Sequence, residues 1–254
     1  MNKVLLVVSS AACLFGMDLF GMDARQIVEE SQKRQQSQSQ RYEGVLEVTQ
    51  ATSKKSSKRW TYERNGAFGE SKSLLRFVAP AEVKGVALLI VNHPDRASDQ
   101  WMWTPELARD RRIALQDRST RFFGTDFSFE DLEERDVNQN DYTLLGEEAM
   151  EGKLCWKIES KPKQTKSSQY AKVVTWIRQD IYVAVKMEMY AKNELVRRLE
   201  YRKIEKVQNI WTPLELEMAD LKKKSKTILK TEKLEYNTTL KPDRFTLDAL
   251  RRGE

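Results

Sequence analysis

Proline and glycine are scarce, at 6 and 10 in 254 residues. Such a composition excludes a collagen-like chain, a Pro/Gly-rich linker and a long low-complexity half. Histidine occurs once, as His93, and cysteine twice, as Cys13 and Cys155. That leaves no His/Cys zinc cluster and no disulfide framework. No charge-free apolar run reaches the roughly 20 residues of a membrane-spanning helix; Val4–Met17 has 14. Gly-rich phosphate loops and dinucleotide fingerprints are missing. So is the Gly-x-Ser-x-Gly elbow, because Gly69-Glu70-Ser71-Lys72-Ser73 lacks its second glycine. No cofactor, metal or catalytic constellation is expected. His93 sits in the turn-like Asn92-His93-Pro94-Asp95, and Cys155 reads as a half-buried structural thiol. The acidic run Glu130, Asp131, Glu133 and Glu134 reads as a solvated helix face.

Apolar residues make up 40% and charged residues 32%, as in a globular protein with a charged surface. Residues 1–24 read as an export signal: Lys3 supplies the positive start, and Val4–Gly21 is apolar apart from Ser9, Ser10 and Asp18. A retained N-terminal anchor and lipidation at Cys13 are the lesser alternatives. Losing Lys3, Asp18 and Asp23 with that segment turns the net charge of +6 into +7. The basic residues alternate with Glu along strands instead of forming one stripe, so nucleic acid is not an expected partner. Anionic headgroups or an acidic partner suit the balance better.

Asp23 is placed to cap a helix running to Gln40, with Ala24, Ile27, Val28 and Ser31 on one face. From Tyr42 the period changes to two. Tyr42, Gly44, Leu46 and Val48 share one face; Trp60 and Tyr62 follow, then Ser73, Leu75 and Phe77. Val86–Val91 reads as a strand covered on both faces, and Trp101 and Trp103 alternate around Met102. Four phenylalanines, Phe122, Phe123, Phe127 and Phe129, mark a loop leading into a short helix. Further strands run to Tyr236, for about ten or eleven in all. The fold class is therefore mainly β (α+β): one curved antiparallel sheet, a half-barrel covered by a few helices, with residues 25–254 as a single domain.

So little helix cannot cover the apolar face of so large a sheet. The expected consequence is an apolar cavity lined by Leu75, Phe77, Trp101, Trp103, Phe122 and Phe127. Met102 replaces the tryptophans if the strand faces the other way. Core packing is the competing reading for most of the six tryptophans. Lys222, Lys223, Lys224 and Lys226 form an exposed turn suited to a membrane or partner contact.

Several motifs occur in a recognisable order. Arg76-Phe77-Val78-Ala79-Pro80-Ala81-Glu82-Val83-Lys84-Gly85 is followed by Trp101–Pro105, Arg111-Arg112-Ile113 and Gly124-Thr125-Asp126-Phe127. Next come Tyr142-Thr143-Leu144-Leu145-Gly146, Gly152-Lys153-Leu154-Cys155-Trp156 and Pro242-Asp243-Arg244-Phe245. This series resembles the outer membrane lipoprotein-sorting proteins, relatives of the LolA and LolB lipoprotein carriers. The resemblance implies a half-barrel, LolA-like, that shelters acyl chains in the periplasm. It points to a non-enzymatic, monomeric carrier of lipid acyl chains or lipoproteins, with peripheral membrane contact and an inner-membrane transporter as a candidate partner. A module of the same fold that regulates envelope stress or assists a transporter is the alternative.

Overall fold

Asp23 caps helix α1, Ala24–Arg34, through reciprocal bonds with Gln26: the Gln26 amide donates to Asp23 Oδ1 at 2.8 Å, and the Asp23 amide donates to Gln26 Oε1 at 3.0 Å. The computed structural model describes residues 22–165 and 168–252. The export segment expected over Lys3 and Val4–Gly21, with Cys13, lies outside them. Helix α1 ends at Arg34, short of the expected Gln40, because Ser39 and Gln40 already pair as strand with Asn65 and Arg64.

Among the described residues thirteen antiparallel strands follow, more than the ten or eleven expected. The first six are β1 Ser39–Thr49, β2 Lys55–Asn65, β3 Lys72–Ala79, β4 Ala87–Val91, β5 Asp99–Thr104 and β6 Arg109–Arg112. The other seven are β7 Asn140–Met150, β8 Lys153–Pro162, β9 Lys172–Arg178, β10 Ala184–Ala191, β11 Glu194–Val207, β12 Ile210–Asp220 and β13 Ser225–Tyr236. The polar β6 shows no apolar alternation, so periodicity hides it, and only the Arg111-Arg112-Ile113 motif of the resemblance marks it. Some of the hairpin turns are as short as two residues. Glu151 and Gly152 join β7 to β8 with φ of 49° and 74°, and Gln208 and Asn209 join β11 to β12 at 44° and 70°. Paired positive φ values are what a two-residue hairpin turn requires.

The strand order β6-β5-β4-β3-β2-β1-β13-β12-β11-β10-β9-β8-β7 describes two meanders that meet where β1 pairs with β13. The sheet is curved and unclosed. Its outermost strands, β6 and β7, are consecutive in the chain, so the segment 113–139 must travel from one edge to the other. It does so across the inner face and carries all four phenylalanines. Its ties are polar. The Asp126 carboxylate accepts from Ser225 Oγ at 2.5 Å and Thr227 Oγ1 at 2.7 Å, and pairs with Arg121.

Pairing fixes which side each strand residue faces. Leu75 lies opposite Leu88, and Leu88 opposite Met102; Leu74 lies opposite Leu89, and Leu89 opposite Trp101. Val86, Leu88 and Ile90 pack inward, whereas Ala87 and Leu89 pack outward on Phe245 and Leu250. The expected two-sided burial of this strand is therefore present. Leu250 belongs to helix α2, Leu247–Arg252, whose Ala249 and Leu250 carbonyls accept from Arg76 Nη2 at 3.1 and 2.9 Å. No helix among the described residues is long and apolar enough to cross a membrane.

Candidate functional site

Of the residues expected to line a cavity, Leu75, Phe77, Phe122 and Phe127 come together, but in a solid core. Phe77 and Phe122 are each 1% exposed, and their rings stack at 5.3 Å. Phe129 meets Phe122 edge-on at 5.5 Å, and Trp60 approaches it at 6.0 Å. Met102 packs against this core from the inner face. Trp101 and Trp103 do not join it. They face the opposite side, over Phe245 and Leu250, with the Arg112 guanidinium 6.0 Å above the Trp101 ring. Of the two facings left open, the one with Met102 inward holds: alternation sets which residues share a side, while pairing with β4 sets which side that is.

The space lies further along the same inner face, in a cavity of about 400 Å³ under α1. Ile158 on β8, Val173 and Ile177 on β9, Met187 and Met189 on β10 and Leu199 on β11 form its floor. Val28, Ser31 and Gln32 of α1 cover one side, with Phe68 beside them. Val28, Tyr142, Val173, Met187 and Tyr201 all face this space yet remain half-buried. Unbranched methionines adapt to ligands of irregular shape, as an acyl-chain site needs.

The remaining wall is Glu130, Asp131, Glu133 and Arg135. This corrects the reading of Glu130–Glu134 as a solvated face: the Glu130, Asp131 and Glu133 side chains are 4%, 5% and 1% exposed. Each carboxylate ties the crossing segment to something basic. Asp131 accepts from Arg197 at 2.6 Å, Glu133 from Arg118 at 3.0 Å, Glu130 pairs with Arg135, and Glu134 with Arg64. The missed signal is parity. Arg197 shares its face with Leu199 and Tyr201, and Arg64 shares its face with Trp60 and Tyr62. An inward arginine needs a carboxylate above it.

Burial holds the Glu133 carboxyl above the usual carboxylate value, with Arg118 opposing it. Burial also pushes the Tyr142 hydroxyl up to about 12 and raises that of Tyr201, so both stay neutral. Tyr170 donates to Asp131 at 2.8 Å, while the Tyr201 hydroxyl meets the Met187 sulfur at 2.9 Å. The cavity is thus an apolar trough with neutral hydroxyls and one wall of charge-paired groups. Cys155 is fully buried on the outer face beside Val174 and Trp176, and burial raises its thiol pKa. His93 sits at the β4–β5 turn, with Nε2 2.9 Å from Asp99 Oδ2. Neither lines the cavity. Among the described residues no group of His, Cys, Asp and Glu is arranged to hold a metal.

A family model described as an uncharacterized protein matches residues 69–252. The chain belongs to this family. Among solved structures it is similar to a DUF1329 family protein from Desulfovibrio piger. That match has 27% identity and a TM-score of 0.85, and covers 89% of this chain and 97% of the other. A domain from Vibrio parahaemolyticus named for outer membrane lipoprotein sorting matches at 25% identity and TM-score 0.86, covering 90% and 98%. A LolA superfamily protein from Nitrosomonas europaea, at 20% identity and TM-score 0.74, covers 90% and 100% and shares the fold. No curated protein matches the chain. The fold is LolA-like, and the resemblance drawn from the ordered motifs is borne out.

Proposed function

We propose that this protein is a periplasmic, non-enzymatic carrier that shelters a lipid acyl chain, alone or on a lipoprotein, in the cavity under α1. Residues 25–254 act as one domain behind an export segment over residues 1–24. The observation that carries this reading is the half-buried Val173–Met187–Tyr201 surface, apolar and facing inward onto a space that no segment among the described residues fills. Its 400 Å³ lies within the range of about 300–1,000 Å³ for small-molecule sites. The likeness to a domain named for lipoprotein sorting supports the same reading.

The energetics suit reversible loading. Burying about twelve methylenes at roughly 0.8 kcal/mol each yields on the order of 10 kcal/mol. Lost motion of ligand and side chains takes back about half, leaving about 5 kcal/mol and a dissociation constant of about 0.2 mM, weak enough for ready release. Titrating delipidated protein with a fluorescent fatty acid should saturate, and mass spectrometry of the untreated protein should show co-purified lipid. Met187→Asp and Val173→Asp should each weaken the titration at least tenfold with the circular dichroism unchanged. Unchanged affinity in both variants would overturn the assignment.

A further inference from the structure

The hairpin turns of the sheet carry opposite charge at its two ends. Five successive turns cap one end of the ten strands from β6 to β10. They lie at 105–108, 80–86, 50–54, 221–224 and 192–193. They hold six lysines, Lys54, Lys84, Lys192, Lys222, Lys223 and Lys224, against Glu82 and Glu106. The five hairpin turns at the other end are 66–71, 92–98, 151–152, 179–183 and 208–209. They hold Arg96 against Glu70, Asp95, Glu151 and Asp180. Pooled over these turns, one end is +4 and the other −3.

On the basic end every one of those lysines is exposed, as is Lys55 at the start of β2. Lys222 makes an exposed pair with Glu194 at 2.7 Å, and Lys226 pairs with Glu217 at 3.1 Å. Among the described residues Lys54, Lys55, Lys192, Lys223 and Lys224 make no ion pair. Neighbouring turns are two strand spacings apart, about 10 Å along the sheet. That is about one Debye length at physiological salt, so their fields overlap. Leu221, 37% exposed, adjoins Lys222, and Leu107, 70% exposed, tips the last turn. Exposed leucines on an end rich in lysine match the boundary between anionic headgroups and acyl chains.

We propose that this end of the sheet is a docking surface for an anionic lipid bilayer. The surface is built by turns far apart in sequence, of which only Lys222–Lys226 stands out in the sequence as a run. It is separate from the cavity and does not depend on what the cavity holds.

The test is flotation of the full chain with vesicles of phosphatidylglycerol and phosphatidylcholine, against phosphatidylcholine alone, at low and raised salt. The unaltered chain should partition onto the anionic vesicles only, and salt should release it. Changing Lys54, Lys55, Lys192, Lys222, Lys223 and Lys224 to Gln should lower that partition on the order of a hundredfold. Each lysine at an anionic surface contributes about fivefold, and not all six touch at once. A charge-matched variant with Gln at Lys33, Lys153, Lys157, Lys206, Lys233 and Lys241 should lose far less. Met187→Asp, which empties the cavity reading, should still float. No association of the unaltered chain at low salt, or equal losses in the two six-site variants, would overturn the docking surface.

Discussion

The inner face of this sheet is finished differently in its two halves. Under β1 to β6 the crossing segment lays Phe122, Phe127 and Phe129 against Trp60, Leu75 and Phe77, and every one of these is buried. Under β8 to β11 the same segment supplies Glu130, Asp131 and Glu133, and α1 with Phe68 adds further cover. The strands of both halves turn apolar side chains inward. What differs is the cover: one half receives bulky rings, and the other a charged wall that stays on its arginines and leaves a void. A cavity in this fold is made by what crosses the sheet, not by the sheet.

Truncation should expose that contrast most strongly. Phe122→Ala removes a ring packed on Phe77, Phe123, Phe129 and Trp60. The loss expected in urea denaturation is about 3–5 kcal/mol, as for other buried phenylalanines. Met187→Ala should cost about 1 kcal/mol or less, since that side chain already borders open space and is half-buried. Equal losses at the two sites would mean that the two halves are packed alike and that the distinction drawn here fails.

Much of this was legible in the sequence, but unevenly. The alternation in Tyr42–Val48, Trp60–Tyr62 and Ser73–Phe77 places strands correctly because a half-buried sheet imposes a period of two. The Asp23 cap is local, and it too was readable. The facing of Trp101 and Trp103 was not. A period of two fixes which residues travel together, and only pairing with Leu89 and Ala87 decides their side. The cavity was misplaced for a related reason. A phenylalanine cluster fits a pocket wall as well as a plug, and nothing local reveals that 113–139 spans the sheet. The charged wall hid because its arginines, Arg64 and Arg197, lie some 70 residues from their partners Glu134 and Asp131.

A smaller effect is expected where the filled half leaves no room at all. Gly44 on β1 lies opposite Trp60 on β2, and the indole lies across it. A Cβ at Gly44 would fall 1.7 Å from Trp60 Nε1, a nitrogen that is buried without a hydrogen-bond partner. Trp60 cannot swing aside without disturbing Phe77 and Phe122. Gly44→Ala should therefore destabilise by about 2 kcal/mol through overpacking, read from the thermal midpoint. A neutral or stabilising result would show slack in the half described as full.

The subtlest test concerns a charged residue that touches both halves. Glu133 lines the cavity, yet its Oε1 accepts from Gln100 on β5 and from Arg118, each at 3.0 Å. Burial favours its neutral form and Arg118 its charged form; burial dominates, so the folded-state value lies above the ordinary 4.5. The folded protein then holds this proton more tightly than the unfolded chain does. The stability gained by protonation is fully present below the unfolded value and is lost as pH rises through the folded one. Glu133→Gln cannot titrate. The stability of the unaltered protein minus that of the variant should thus fall as pH climbs from below 4.5, then level off. Other carboxylates, Asp99 among them, are held low by their partners and shift stability the opposite way, but they are common to both proteins and cancel in the difference. Denaturant midpoints across a pH series measure it. A difference that rises with pH would mean that the Arg118 pair outweighs burial, and that the wall between the two halves is held by charge.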